Sequence, residues 1–67
     1  MQIFNKFTYG PKTIVQSVYL DKEEACIVIS ESDGETCKEL SIDIAGAEAL
    51  RDAIRNEIDE ADESEVN

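Results

Sequence analysis

The feature that most constrains the fold of this chain is a change of hydrophobic period after Ile42. Up to that residue, apolar and polar side chains alternate in short runs, which is typical of half-buried strands. Beyond it, apolar residues recur every three or four positions, as on one side of an amphipathic helix; these residues are Ala47, Leu50, Ile54, Ile58 and Ala61. Because 67 residues suffice for one small core, the pattern predicts a single α+β domain with strands first and one helix last.

Turn-forming residues divide the alternating part into four strands. Gly10-Pro11 interrupts the first run, and the polar segment 21–24 interrupts the second. Asp33-Gly34 follows the third run, and this dipeptide favours a two-residue type I′ hairpin turn. The predicted strands are 2–9, 13–20, 25–31 and 36–42. The short connections between them predict a four-stranded antiparallel β-meander.

The turns also predict a register, because each hairpin is centred on its turn residues. The resulting register places Ile27 between Val18 and Leu40. It also sets Asn5 opposite Gln16 as an amide pair. One face of the sheet then gathers the apolar residues Ile3, Phe7, Ile14, Val18, Leu20, Ile27, Ile29, Leu40 and Ile42. We expect the helix to pack on this face and to form the core with it.

The helix is predicted over residues 44–62, with Asp43 as its N-cap. Residues 1–62 then form a single ββββα domain, and residues 63–67 are predicted to be an acidic flexible tail. The stretch LSIDIAGAEALRDAIRNEIDEA, which begins at Leu40, resembles the strand–cap–helix ending of many small microbial and phage proteins. That resemblance covers about a third of the chain, is generic, and implies no activity.

The other face of the predicted sheet carries several apolar side chains. In the predicted register they are Phe4, Val15, Tyr19 and Val28. Scattered exposed apolar residues are normal on soluble proteins. A cluster of them is also typical of a surface for self-association, and a small core gains from dimerisation. These four residues are therefore the candidate homodimer face.

The charge of the chain is strongly asymmetric. Residues 1–20 contain Lys6 and Lys12 and no Asp or Glu, whereas residues 21–67 hold all sixteen acids against four bases. The two segments carry about +2 and −12, and the net charge is −10. Such a chain would be repelled by nucleic acid and by an anionic membrane, so neither is an expected partner. The sequence has no apolar run of membrane-spanning length, and its N-terminal residues do not resemble a signal peptide. We expect a cytoplasmic protein, in the host cytoplasm if a phage encodes it.

Acidic residues concentrate on one side of the predicted helix. Glu48, Asp52, Asp59 and Glu63 fall in a narrow arc opposite the apolar stripe, and Glu60 and Asp62 widen it. One interpretation is a solvated face that keeps a small protein soluble. The other is a surface that imitates the phosphates of a nucleic acid. Acids near a helix C-terminus oppose the macrodipole by about 0.3–1 kcal/mol each, so helix stability alone does not favour them there.

Catalytic and metal chemistry have little support in the sequence. The chain has no His, and no Ser or Cys has a recognisable activating partner. Cys26 and Cys37 lie too far apart in the predicted register for a disulfide, and two thiols without His do not form a usual zinc site. We expect no enzyme activity, no metal and no cofactor.

The leading hypothesis is a small acidic inhibitor of the kind that phages and mobile elements encode, a resemblance of size and charge alone. It would act as a nucleic-acid mimic that blocks the basic channel of a host defence or nucleic-acid enzyme, such as a CRISPR, restriction or nuclease complex. The expected partner-binding residues are Glu48, Asp52, Asp59, Glu60, Asp62 and Glu63, with Asp33 and Glu35 as a second patch. The alternative is a dimeric structural or adaptor module that uses the exposed sheet face, with the acids serving solubility only.

Overall fold

A computed structural model describes the backbone of residues 1–66 and the side chains of residues 1–62. The elements are β1 (Gln2–Tyr9), β2 (Lys12–Asp21), β3 (Cys26–Ser32), β4 (Cys37–Asp43) and α1 (Ile44–Val66). The strands form one antiparallel sheet in the order β1-β2-β3-β4, and α1 packs against β3 and β4. The predicted α+β fold, a four-stranded meander followed by one C-terminal helix, is confirmed.

The register of the second and third hairpins differs from the predicted one by two residues. Val18 pairs with Ile29 rather than Ile27, and Ile29 pairs with Leu40. The cause is the length of the turns, because four residues rather than two connect each pair of strands. Since the shift is an even number, the side chains of β2, β3 and β4 keep their predicted faces.

Two aspartates build these longer turns. Oδ1 of Asp21 accepts hydrogen bonds from the amides of Glu23 (3.0 Å) and Glu24 (3.2 Å). The third hairpin contains the same arrangement around Asp33. Gly34 has φ +94°, whereas Asp33 does not have a positive φ, so the predicted type I′ turn is wrong. A carboxylate that binds two amides of its own turn favours the longer loop.

A β-bulge in β1 places Ile3 and Phe4 on the sheet faces opposite to those predicted. Ile3 pairs with Ser17 and Asn5 with Gln16, so Phe4 is the extra residue. Ile3 therefore shares the face of Ser17, and Phe4 lies on the opposite face in a groove with Ile29. The sequence placed Ile3 and Phe4 the other way round, since alternation alone cannot show an inserted residue. The predicted Asn5–Gln16 pair is confirmed.

Two sheet faces follow from this register. The Ile29 face carries Phe4, Asn5, Phe7, Ile14, Gln16, Val18, Leu20, Ile27, Ile29, Glu31, Lys38, Leu40 and Ile42. The Val28 face carries Ile3, Lys6, Val15, Ser17, Tyr19, Cys26, Val28, Ser30, Cys37, Glu39 and Ser41.

The most buried side chains of the sheet do not lie on the face that the sequence predicts to be the core. Among the side chains of residues 1–62, the buried ones are Ser17, Val28 and Ser30, all on the Val28 face, and Val28 is 4% exposed. On the Ile29 face, which the sequence predicts to be the core, Leu20 is 50% and Leu40 58% exposed. The other apolar residues of this face on β2, β3 and β4 are half-buried, namely Ile14, Val18, Ile27, Ile29 and Ile42. The Ile29 face therefore remains open, because the helix stripe does not cover it.

The helix contacts the sheet only through its first turns. Gly46, Ala47 and Leu50 are half-buried, whereas every residue from Arg51 to Asp62 is exposed. The molecule measures 43 × 37 × 15 Å, and its radius of gyration is 14.6 Å. A compact domain of this length would have a radius of about 11 Å. The apolar stripe, which we expected to lie on the sheet, extends away from it.

The helix begins where the sequence predicts and ends later. Oδ1 of Asp43 accepts a hydrogen bond of 2.7 Å from the amide of Gly46, which confirms the N-cap. The helix continues to Val66, four residues past the predicted end at residue 62. The predicted flexibility of residues 63–67 stays a prediction, because their side chains lie outside the described part of the chain.

Candidate functional site

The acidic side of α1 is exposed where the structure describes it. Glu48, Asp52, Asp59, Glu60 and Asp62 all face solvent, and the last three follow the point where the helix leaves the sheet. At about 100° per residue, Glu48, Asp52 and Asp59 lie within an arc of about 40°. Sequence reasoning found these residues because the helical period alone fixes their direction. The side chain of Glu63 lies outside the described residues, so its place in the arc stays a prediction.

One of these acids has a cation beside it. Nε of Arg51 lies 3.2 Å from Oδ1 of Asp52, and both side chains are largely exposed. An exposed pair of this kind contributes about 0–1 kcal/mol, so a partner can displace it easily. Among the described side chains, Asp59, Glu60 and Asp62 form no ion pair. The unpaired negative charge of the described helix is therefore densest at residues 59–62.

The Asp33 carboxylate, placed by the sequence in the second acidic patch, is occupied within its own turn. Its Oδ1 accepts from the amides of Glu35 (2.9 Å) and Thr36 (2.8 Å), and from the Thr36 hydroxyl at 3.2 Å. Its Oδ2 accepts from Nζ of Lys12 at 3.3 Å. The two backbone amides, with the ammonium of Lys12, hold the pKa of Asp33 well below its usual range. Asp33 therefore organises the turn, and its oxygens are less available to a partner.

The acidic turn of Asp33 and Glu35 and the acidic helix α1 lie at opposite ends of β4. The turn of Asp33 and Glu35 precedes β4, and α1 begins after β4. The seven residues of β4 span about 23 Å. The structure therefore separates this turn from the start of the helix by the length of one strand.

The candidate homodimer residues do not share one surface. Phe4 is 53% exposed and lies on the Ile29 face because of the bulge. Val28 is buried, and Val15 and Tyr19 are half-buried on the Val28 face. Most of the exposed apolar residues of the sheet lie instead on the Ile29 face, although Ile3 on the Val28 face is also exposed.

The Val28 face carries polar contacts between strands. The Tyr19 hydroxyl donates to Oε2 of Glu39 at 2.9 Å, and this bond to a carboxylate raises the pKa of Tyr19. The Ser30 hydroxyl and the Cys37 thiol lie 3.3 Å apart and share a hydrogen bond. Cys26 and Cys37 are both free thiols.

A chain of polar side chains crosses the Ile29 face from β1 to β3. Nδ2 of Asn5 donates to Oε1 of Gln16 at 2.9 Å, and Nε2 of Gln16 donates to Oε1 of Glu31 at 2.9 Å. The sequence predicted the Asn5–Gln16 pair but not the bond from Gln16 to Glu31, because the predicted register of β3 differs from the observed one by two residues. These two hydrogen bonds fix the orientation of both amides on the Ile29 face.

Neither a metal centre nor a membrane span is found in the described part of the chain. Within it, no group of three or more Cys, Asp and Glu side chains is arranged to hold a metal ion. Among residues 1–66, no helix is both long enough and apolar enough to cross a membrane. What the described surface offers is therefore a projecting anionic helix and an open apolar sheet face. Comparison of the chain with protein-family models, curated proteins and solved structures finds no match.

Proposed function

We propose that this chain is a small acidic inhibitor that binds a basic protein surface. Its target is a nucleic-acid-binding protein, such as a CRISPR, restriction or nuclease complex, and the inhibitor blocks the channel that would receive the nucleic acid. The observation that carries the proposal is the exposed, unpaired carboxylate cluster of residues 59–62 on a helix that extends away from the sheet. In this proposal the chain has no catalytic activity of its own, and its phage or mobile-element origin and cytoplasmic site of action remain part of the hypothesis.

The density of charge supports mimicry at the distal part of the helix. Residues 59–62 carry three carboxylates over about 4.5 Å of helix axis. Duplex DNA presents about three phosphate charges over the same length. Closer to the sheet the match is weaker, because Arg51 and Arg55 interrupt the acids. The distal turn is thus the part of the chain that most resembles a polyanion in charge spacing.

The position of the acids also argues for a role beyond folding. The last turn of α1 contains no basic residue, although cations there would stabilise the helix dipole. Solubility requires acids somewhere on the surface, and it does not require them at the end of a helix. A binding role explains the position, since a projecting helix end reaches into a channel that a flat sheet cannot enter.

The test compares two double variants with equal loss of charge. Asp59→Asn/Glu60→Gln removes two charges from the distal helix, and Glu23→Gln/Glu24→Gln removes two from the exposed β2–β3 turn. Each protein is immobilised and exposed to bacterial lysate at low and high salt, and the captured proteins are identified by mass spectrometry. Duplex DNA is then used to compete for each captured protein.

We expect wild type and the turn variant to capture nucleic-acid-binding proteins at low salt, with release by salt and by DNA. We expect the helix variant to lose this capture. Equal capture by the helix variant, or capture that DNA does not compete, would contradict the proposal.

A second candidate function is a dimeric structural or adaptor module whose acids serve solubility. The observation that favours it is the uncovered apolar surface on both sheet and helix, where Leu40 and Ile58 are 58% and 55% exposed. In that case the helix variant would retain its partners and its quaternary structure.

A further inference from the structure

We propose that two copies of this chain dock reciprocally, with the helix stripe of each copy packed on the Ile29 face of the other. The helix stripe consists of Leu50, Ile54, Ile58 and Ala61. This inference goes beyond the inhibitor proposal and does not depend on it, because it uses the apolar side of the helix and leaves the acidic side free.

The exposed area of the single chain is the first argument. The chain exposes 5614 Å² for a mass of 7.5 kDa. A compact protein of that mass exposes about 4,200 Å². The excess is about 1,400 Å² per chain, or about 2,800 Å² for two chains. Obligate homodimers bury about 2,000–5,000 Å² in total, so one second copy accounts for the excess.

The second argument is that the helix stripe and the Ile29 face both expose apolar side chains to solvent. Ile54 and Ile58 are about half exposed on the helix, and Leu40 is exposed on the Ile29 face together with Phe4, Phe7 and Leu20. The sequence pattern predicts that these surfaces cover each other. Within one chain they do not, because α1 leaves the sheet after its first turns. A second copy supplies the missing partner for each surface without any change in the chain.

Symmetry selects the reciprocal arrangement over simpler ones. Pairing of two helices would leave both sheet faces open, and pairing of two sheets would leave both helix stripes open. Exchange of helices about a two-fold axis covers all four surfaces in one closed dimer. This closure would also enlarge the core of a chain whose described side chains include a single buried apolar one, Val28.

The distribution of charge on the helix and the sheet is compatible with the reciprocal dimer. The helix is acidic, and β1 and β2 contain no Asp or Glu before Asp21. The Ile29 face also presents Lys38. The carboxylate of Glu31 on that face already accepts a hydrogen bond from Gln16, whose amide is held by Asn5. A docked helix would therefore meet amide groups that are already bonded and strands that do not repel it.

The test measures the dimer dissociation constant of the full chain by sedimentation equilibrium. Ile58→Lys alters the helix stripe, and Asn56→Lys, on the opposite side of the same helix, is its control. Leu40→Lys alters the Ile29 face, and Ser41→Lys, on the Val28 face, is its control. All four residues are exposed in the single chain, so none of the substitutions disturbs packing within it.

We expect wild type and both controls to be dimers. Ile58→Lys and Leu40→Lys should each weaken the dimer by about 30-fold or more, as central apolar contacts do. A mixture of the Ile58→Lys and Leu40→Lys chains should dimerise again. In the mixed dimer, the unaltered helix of the Leu40→Lys chain docks on the unaltered sheet of the Ile58→Lys chain, so one of the two docking sites is intact.

Three results would overturn the proposal. The first is a wild-type chain that stays monomeric at all concentrations with an unfolding midpoint independent of concentration. The second is a dimer that Ile58→Lys breaks and Leu40→Lys leaves intact, which would indicate helix–helix pairing. The third is a mixture that does not regain the dimer. If a variant fails to fold, an unfolding midpoint of wild type that is independent of concentration still overturns the proposal.

Discussion

Asp43 and Gly46 form the joint between sheet and helix. The Gly46 amide donates to Oδ1 of Asp43 at 2.7 Å, and a Cβ added at Gly46 would lie 2.6 Å from the same oxygen. It would also lie 2.8 Å from Cγ2 of Ile42. A Cβ at this position would therefore force the side chains of Asp43 and Ile42 to shift.

Gly46→Ala should destabilise the protein, although Ala is favoured over Gly inside helices by about 1 kcal/mol. The clash with Asp43 and Ile42 should outweigh that gain and lower the free energy of unfolding by about 1–3 kcal/mol. Urea unfolding at one fixed protein concentration measures it. Combination with Asp43→Ala should show non-additivity, because the shorter side chain removes one of the two clashes. An unchanged or higher stability of Gly46→Ala would show that a Cβ at this position does not clash with Asp43 and Ile42.

Ala25→Gly should stabilise the β2–β3 turn. Ala25 has φ +53°, a left-handed conformation that costs a residue with a Cβ about 1 kcal/mol more than glycine. The greater freedom of glycine in the unfolded chain offsets part of the gain, so we expect about 0.5 kcal/mol in urea unfolding. Ala49→Gly in α1 is the matched control and should destabilise by about 1 kcal/mol. Equal destabilisation by both substitutions would show that the φ of Ala25 carries no strain.

The Asp33 turn should make stability depend on pH in the acid range. The pKa of Asp33 is lowered in the folded chain, so its ionised form contributes stability above the unfolded pKa of about 3.9. That contribution is lost as the pH falls through the lower folded value. The unfolding midpoint of wild type should therefore exceed that of Asp33→Asn by a constant amount above about pH 5, and the difference should shrink below about pH 4.

Glu35→Gln is the control for this pH dependence. It removes one exposed acid from the same turn and leaves the bonds of the Asp33 carboxylate in place. The difference in unfolding midpoint between Glu35→Gln and wild type should vary less with pH than the difference between Asp33→Asn and wild type. A larger variation for Glu35→Gln would show that the Asp33 hydrogen bonds do not carry the effect.

Glu39→Gln should lower the pKa of Tyr19. The bond from the tyrosine hydroxyl to the carboxylate and the nearby negative charge both favour the protonated phenol. Ultraviolet absorbance titration in a Tyr9→Phe background reports Tyr19 alone, since the chain has two tyrosines. Ser41→Ala on the same face serves as the control. If Glu39→Gln leaves the titration curve where wild type has it, the hydroxyl does not donate to Glu39 in solution.

The errors of the sequence-based prediction have local causes. The register was two residues off because Asp21 and Asp33 bind amides of their own turns, and hairpin statistics favour the shorter turn. The bulge at Phe4 leaves no trace in an alternating pattern. The carboxylates of residues 59–62 were predicted correctly as exposed because helical geometry alone directs them. The hydrogen bonds of the Asp33 carboxylate were not predicted, because they depend on the path of the turn.

By itself, the sequence determined the order of the elements, the N-cap and the two faces of β2, β3 and β4. These features depend on the backbone periods of 2 and 3.6 residues and on contacts within a few residues, which the order of side chains encodes directly. Only the tertiary structure decided which sheet face is buried and where the helix stripe points. Both depend on the angle at which α1 leaves β4, because burial requires segments distant in the sequence to come into contact, and no backbone period encodes such contacts.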